Sequence, residues 1–245
     1  MSIKAFVFNR LLPKIYKFYL SINTKQLPFN IAENERAVLF APHADDESIG
    51  AGGTLARYGK NFDVYCITDG VKGLKSLPPE EAARVRKEEF YSAMKIAGVN
   101  RYEVLGVPDR DIISANDTLD KIDISYFDYI FVPNLIDTHK DHKSVSILVK
   151  KLLQNTPHKK DVKIVFYEVW STLALPNAFV DITNTVDKKA QMLECHKSQT
   201  ALRSYLPSSV GLSRYRGLVP NVDNAECFLV LDEKTFTSLV KNIYV

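Results

Sequence analysis

The stretch Val38-Leu39-Phe40-Ala41-Pro42-His43-Ala44-Asp45-Asp46-Glu47-Ser48-Ile49-Gly50-Ala51-Gly52-Gly53 decides how the rest of the chain is read. Ala37 to Ala41 is an apolar run rich in strand formers, and Pro42 ends it. His43, Asp45, Asp46 and Glu47 then crowd together before a run of small residues opens the next segment. In open α/β sheets, ligands bind at the carboxyl ends of strands, which is where this cluster falls. Carboxylates packed so closely need a counter-charge to stay ionised, and a divalent cation supplies one.

Outward from this stretch the pattern is regular. Phe62 to Thr68 reads as a second strand, ended by the turn signal Asp69-Gly70. Further strands are expected at residues 102–105, 127–132, 163–169, 178–182 and 227–231. Helices are expected from Gly52 to Tyr58, from Pro79 to Ala97 with Gly98 as the C-cap, over 140–154 and over 186–202. Val145, Leu148, Val149 and Leu152 share one face of the third of these. Strands alternating with long helices predict a three-layer, Rossmann-like α/β fold: a mainly parallel sheet with helices on both faces. Strands after residue 160 could add an antiparallel edge. With 245 residues, 46% of them hydrophobic, and no linker or repeat, a single domain is expected over 36–245, preceded by an arm, 1–35.

The net charge is only +3, which points to no polyanionic partner, and no basic, aromatic-interleaved groove suggests nucleic acid. Yet residues 1–32 carry Lys4, Arg10, Lys14, Lys17 and Lys25 with no acid, leaving the rest of the chain at about −2. Phe6, Phe8, Tyr16, Phe18 and Tyr19 lie among these cations, and Pro13 suits the first turn of a helix. Two readings stay open: an arm that packs on the domain or on a second subunit of a homo-oligomer, or a surface helix that touches a membrane. Three widely spaced cysteines without a CxxC pair fit a reducing compartment. No 18-residue apolar run exists, and Arg10, Lys14 and Lys17 interrupt any signal-peptide core. The expectation is a cytoplasmic protein, with peripheral contact at the inner membrane face as the arm's second reading.

A second polar cluster follows the strand at 127–132: Asp137-Thr138-His139-Lys140-Asp141-His142. Histidines three apart share a face if they lie in a first helical turn. Loops leaving neighbouring strands can converge on one cation, and two histidines with one carboxylate and a water is a catalytic zinc arrangement. Three of the chain's five histidines fall in these two clusters. The Gly50-Ala51-Gly52-Gly53 run does not have GxGxxG spacing, and the acids before it would repel a pyrophosphate. Close helix–strand packing is its expected purpose. Gly-x-Ser-x-Gly is absent, so no serine nucleophile is indicated. Asp69 and Asp109 end strand-like segments and could line a pocket, though Asp69 serves equally well as a turn residue. His196 and Gln199 share a helix face and read as structural.

Taken together, Pro42-His43-Ala44-Asp45-Asp46-Glu47 and His139-Lys140-Asp141-His142 resemble the PIG-L/LmbE-like deacetylases, whose signature is HPDDE followed by HPDH or HxDH. Arg86-Lys87-Glu88-Glu89, Pro108-Asp109-Arg110, Cys195-His196-Lys197-Ser198-Gln199 and Ala225-Glu226-Cys227-Phe228 resemble further family segments, in the family's order. Coverage runs over roughly residues 36–231; Ala44 replaces the usual proline, and residues 1–35 lie outside it. The resemblance implies a zinc-dependent amidase that removes acetyl from an N-acetylglucosamine-type sugar, free or lipid-linked. It implies one divalent metal, most naturally Zn2+, on His43, Asp46 and His142. It further implies Asp45 as general base, His139 as oxyanion donor or acid, and Arg86, Asp109 and Arg110 at the substrate. Two rivals keep the same residues: a catalytically idle relative that binds a sugar or scaffolds a complex, and a metal hydrolase of another amide or an ester.

Overall fold

A computed structural model describes residues 25–114 and 116–244. Strand β2 (Ala37–Ala41) is buried throughout, as an all-apolar strand must be when layers cover both faces of the sheet. It pairs in parallel with β3 (Phe62–Thr68) on one side and β5 (Tyr129–Pro133) on the other. β4 (Arg101–Val107) continues beyond β3 and β6 (Lys163–Tyr167) beyond β5, again in parallel. β8 (Ala225–Asp232) then runs antiparallel between β6 and β7 (Ala178–Asp181). With β1 (Leu27–Pro28) at the edge beside β7, the full order is β1-β7-β8-β6-β5-β2-β3-β4. The mainly parallel sheet and its late antiparallel strands agree with the sequence reading.

The chain runs one way from β2 through β3 to β4, then restarts at β5 on the other side of β2. The crevice between the carboxyl ends of β2 and β5 is therefore the topological switch point, where such sheets bind ligands. Both polar clusters open into it.

Alternation along β2 divides the core. Val38 and Phe40 pack with Val145, Leu148 and Leu152 of α4 (Lys140–Asn155) and with Phe236 and Val240 of α8 (Glu233–Tyr244). Leu39 and Ala41 face the other layer, with Leu55 of α1 (Asp46–Tyr58), Phe90 and Met94 of α2 (Pro79–Ala97) and Met192 of α5 (Val186–Cys195). The remaining helices are α3 (Asn116–Leu119), α6 (Lys197–Thr200) and α7 (Tyr205–Gly217). All three cysteines are free, and no helix among the described residues is long and apolar enough to cross a membrane.

Several elements differ from expectation. α1 begins at Asp46 rather than at Gly52, because Asp46 and Glu47 suit the positive end of a helix. The expected helix over 186–202 breaks at His196, whose ψ of 54° is not helical, giving α5 and α6. β1, α3, α7 and α8 are additional. Within the expected 1–35 arm, β1 pairs with β7 and Ile31 is buried. The helix expected near Pro13 lies outside the described residues. The small-residue run in α1 serves close packing, as expected: a Cβ on Gly53 would come within 2.7 Å of Ile182, and one on Gly50 would overlap Tyr167.

Candidate metal centre

Pro42 ends β2 and the chain turns at once into α1. Asp45 makes that turn with φ of 136°, a left-handed value that costs a side-chain-bearing residue energy. Surrounding bonds hold it there. Glu47 accepts the Asp45 N–H at 3.1 Å, and Arg86, reaching over from α2, donates to the Ala44 carbonyl oxygen. Glu47 is in turn fixed by the Ser48 hydroxyl at 2.7 Å and by His196 Nε2 at 3.2 Å, all fully buried. His196 thus braces the loop from behind, consistent with the structural reading of that residue.

The turn aims His43 and Asp46 into the crevice. Asp46 Oδ2 lies 3.2 Å from His43 Nδ1 and 3.2 Å from His142 Nε2, so one carboxylate oxygen joins residues from both clusters. Each imidazole is backed by a second carboxylate. His43 Nε2 lies 3.1 Å from Asp141 Oδ2, and His142 Nδ1 lies 3.3 Å from Asp137 Oδ2. Carboxylates in that position fix the tautomer and orientation of metal-binding histidines. One ring nitrogen from each of His43, His139 and His142 falls within 4.8 Å of the others, so three histidines together could also hold an ion.

The charges suit a cation-binding site. Burial opposes charge on His43, yet its contacts with Asp141 and Asp46 override this and push it up to about 10. His142 is likewise disfavoured as a cation by burial, but Asp46 and Asp137 push it up to about 9. Burial would raise Asp46, and the two histidines instead hold it well below the usual carboxylate range. Without a metal the cluster balances its acids by protonating imidazoles; a divalent ion would replace those protons. Asp46 Oδ1 is buried with no hydrogen-bond partner among the described residues, and the His142 nitrogens, close to Asp46 and Asp137 as they are, make no well-aligned hydrogen bond to them. Such orphaned atoms are costly unless a ligand satisfies them, and carboxylate and imidazole suit a borderline ion such as zinc.

Asp45 and His139 stand beside this group. Burial pushes the Asp45 carboxyl up to about 6, against the opposing charge of Arg86, whose Nη2 is 3.4 Å from Asp45 Oδ2. His139 caps α4, its Nδ1 accepting the Asp141 N–H at 3.2 Å. That bond requires an unprotonated Nδ1 and leaves Nε2–H as a donor. Burial and the neighbouring histidines lower the His139 pKa, which favours the same neutral form.

His43, Asp45, Asp46 and His139 line a cavity of about 310 Å3, together with Arg86, Asp109, Arg110, Trp170, Arg203 and Tyr205. Arg86 is buried, not a helix-surface residue; it contacts Glu89 at 3.2 Å and the Ser198 hydroxyl at 3.4 Å. Asp109 is buried and lines the cavity, its Oδ1 without a hydrogen-bond partner among the described residues. Asp69 instead closes a turn, accepting the Val71 N–H at 3.1 Å. Sequence reasoning quoted Asp137, Asp141 and Glu47 without giving them roles. It missed Trp170, Arg203 and Tyr205, although Trp170 is the sole tryptophan and follows the end of a strand.

A mostly parallel α/β sheet with a buried histidine–carboxylate cluster at its switch point is the architecture of a Rossmann-like domain with a candidate mononuclear metal centre. Residues 38–153 match the family model described as PIG-L: GlcNAc-PI de-N-acetylase. Over 194 residues it is 26% identical to a probable N-acetyl-alpha-D-glucosaminyl L-malate deacetylase 2 of Bacillus anthracis, spanning 70% of this chain and 84% of the relative. It superposes on an N,N'-diacetylchitobiose deacetylase from Pyrococcus horikoshii with a TM-score of 0.72 at 21% identity, covering 96% of this chain and 95% of that one. A 4-carboxy-2-hydroxymuconate hydratase from Pseudomonas putida KT2440 shares the fold with a TM-score of 0.66 at 17% identity, covering 80% and 96%. At such identities the structural likeness concerns the fold, and function must be argued from the site.

Proposed function

We propose that this protein is a zinc-dependent hydrolase that removes the acetyl group from an N-acetylglucosamine-type sugar. The observation that carries the reading is Asp45: a buried carboxyl held by Arg86 beside His43, Asp46 and His142, lining a cavity of sugar-binding size. The PIG-L match and the deacetylase name of the Bacillus anthracis relative support the substrate class.

His43 Nδ1, Asp46 and His142 Nε2 would hold the ion, because Asp141 and Asp137 occupy the opposite nitrogens of the two rings. This set, rather than the three histidines, satisfies the orphaned Asp46 oxygen and leaves His139 free. When bound, zinc supplies Lewis acidity, which acidifies an attacking water and polarises the amide carbonyl. Asp45 takes the proton of that water as its oxygen bonds to the acetyl carbon. His139 Nε2–H donates to the carbonyl oxygen as it gains negative charge. Asp45 then returns the proton to the sugar nitrogen as the C–N bond breaks, releasing acetate and the free amine. Arg86 keeps Asp45 in its strained turn, and Asp109 receives a sugar hydroxyl.

The test is acetate release from a panel of N-acetylglucosaminides, with zinc-loaded protein and again after chelation. Release that stops with chelator and returns with zinc is expected. Silence across neutral, conjugated and lipid-linked sugars would leave a binding or scaffolding relative as the better account.

A further inference from the structure

We propose that Glu89 and Ser198 are positioning residues: acting through Arg86, they set where the Asp45 carboxylate stands beside the ion site. The inference rests on the deacetylase reading above. Glu89 belongs to α2, and Ser198 to α6, just past the break at His196. Neither is among the residues that line the cavity, so a part in the reaction has to be exerted through another side chain.

Glu89 Oε1 accepts the Ser198 N–H at 2.7 Å, and Glu89 Oε2 accepts the Ser198 hydroxyl at 2.7 Å. The same Oε2 lies 3.2 Å from Arg86 Nη1, which also reaches the Ser198 hydroxyl oxygen at 3.4 Å. The three side chains close a ring around one corner of the guanidinium. At the opposite corner, Nη2 donates to the Ala44 carbonyl oxygen and lies 3.4 Å from Asp45 Oδ2. Arg86 Nε is buried with no hydrogen-bond partner among the described residues, so the two terminal nitrogens orient the head group. A guanidinium is planar and rigid, and a tilt at Nη1 is carried to Nη2. The Arg86 and Glu89 side chains are only 4% and 10% exposed, so water competes little for these contacts.

Glu89 does more than dock α6 on α2, because one guanidinium bridges two carboxylates, Glu89 and Asp45. Asp45 needs that hold, since its φ of 136° is a strained value that persists only while its surroundings enforce it. The stretch from His196 to Ser198 reaches Asp45 by two paths. His196 acts through Glu47 on the Asp45 N–H, while Ser198 acts through Glu89 and Arg86 on its carboxylate. Loss of the second path would leave the backbone turn held and the carboxylate free to swing. A reacting group displaced by about 1 Å can lose on the order of 10²-fold in rate, while the ion and the sugar keep their own ligands.

The experiment is a double-mutant cycle of Glu89→Gln and Asp45→Asn on zinc-loaded protein, read by acetate release. Glu89→Gln keeps the shape and loses the charge that draws Arg86. Alone it should lower kcat by roughly 10–100-fold with KM and zinc content unchanged. In the Asp45→Asn background it should change kcat by less than about twofold, because residues that act as a unit are not additive. Ser198→Ala should give the same pattern with a smaller fall, and it carries the cycle if Glu89→Gln does not fold. An unchanged kcat, losses that simply multiply, or a change confined to KM or to zinc content overturns the proposal. Crystal structures of wild type and Glu89→Gln supply a readout independent of activity. Arg86 should swing away from Asp45 in the variant, and an unmoved Arg86 refutes the hold. If wild type releases no acetate from any sugar, the deacetylase reading fails, and these structures decide whether Glu89 positions Asp45.

Discussion

Glu226→Gln tests how the segment carrying Asp46 is held. α1 departs from helical geometry at Ala51, with φ of −141° and ψ of 16°. Glu226 accepts the Gly53 N–H at 2.9 Å, the Thr54 N–H at 2.8 Å and the Thr54 hydroxyl at 2.6 Å, beyond this break. Lys189 Nζ lies 2.5 Å from Glu226 Oε1 and 2.8 Å from the Ile49 carbonyl oxygen, before the break. The pair thus ties both halves of the helix together, and its members are only 2% and 4% exposed. Glutamine would turn an NH2 toward a backbone N–H or the ammonium, and Lys189 would lose its counter-charge. Removing one partner of a buried pair costs about 3–5 kcal/mol. At about 2–4 °C per kcal/mol for a chain of this size, Tm should fall by roughly 6–20 °C. Melting and urea unfolding of metal-stripped protein measure this without ligand linkage, and the urea m-value should stay constant. Adding Lys189→Met should recover most of the loss, because the unpaired charge is the main cost. A loss below about 1 kcal/mol, or no recovery in the double variant, refutes the reasoning.

Neighbouring Asp45 and Asp46 should fail differently. Asp46→Ala should lose metal and activity together, whereas Asp45→Asn should keep its metal while kcat falls by on the order of 10²–10⁴. His139→Ala should resemble Asp45→Asn; kinetics and metal content from the same samples check all three, and metal loss in Asp45→Asn would reverse the assignment. Asp137→Asn should weaken zinc by roughly 10–100-fold in chelator competition, because His142 loses the carboxylate that orients it. Unchanged affinity there would mean that Asp137 serves only the backbone of His139 and Trp170.

The alternation of strand and helix was legible because it rests on local periodicity. Phe62–Thr68 and Pro79–Ala97 carry their own boundaries, the latter closed by Gly98 at φ of 72°. β1 was not legible, since two residues show no period, and its pairing joins Leu27 to Ala178, far along the chain. α7 was missed because few of its residues are buried, so no apolar stripe marks it. α8 did carry a signal, Phe236 and Val240 four residues apart, but it lay beyond the last family-like segment. The start of α1 was obscured by Gly50, Gly52 and Gly53, poor helix formers that close packing requires.

For the site, residue chemistry alone determined that His43, Asp45, Asp46, His139 and His142 belong to one problem: carboxylates and imidazoles at strand ends concentrate a charge that a cation relieves. Tertiary structure decided everything that depends on which ring nitrogen faces which oxygen. Asp141 meets His43 from 98 residues away, and only the adjacency of β2 and β5 at the switch point makes them neighbours. Trp170 and Arg203 likewise join the cavity wall through loops from separate elements. Periodicity is a property of neighbouring residues, so one sequence displays it. Orientation of a side chain is set by partners distant along the chain, and only the folded sheet brings them together.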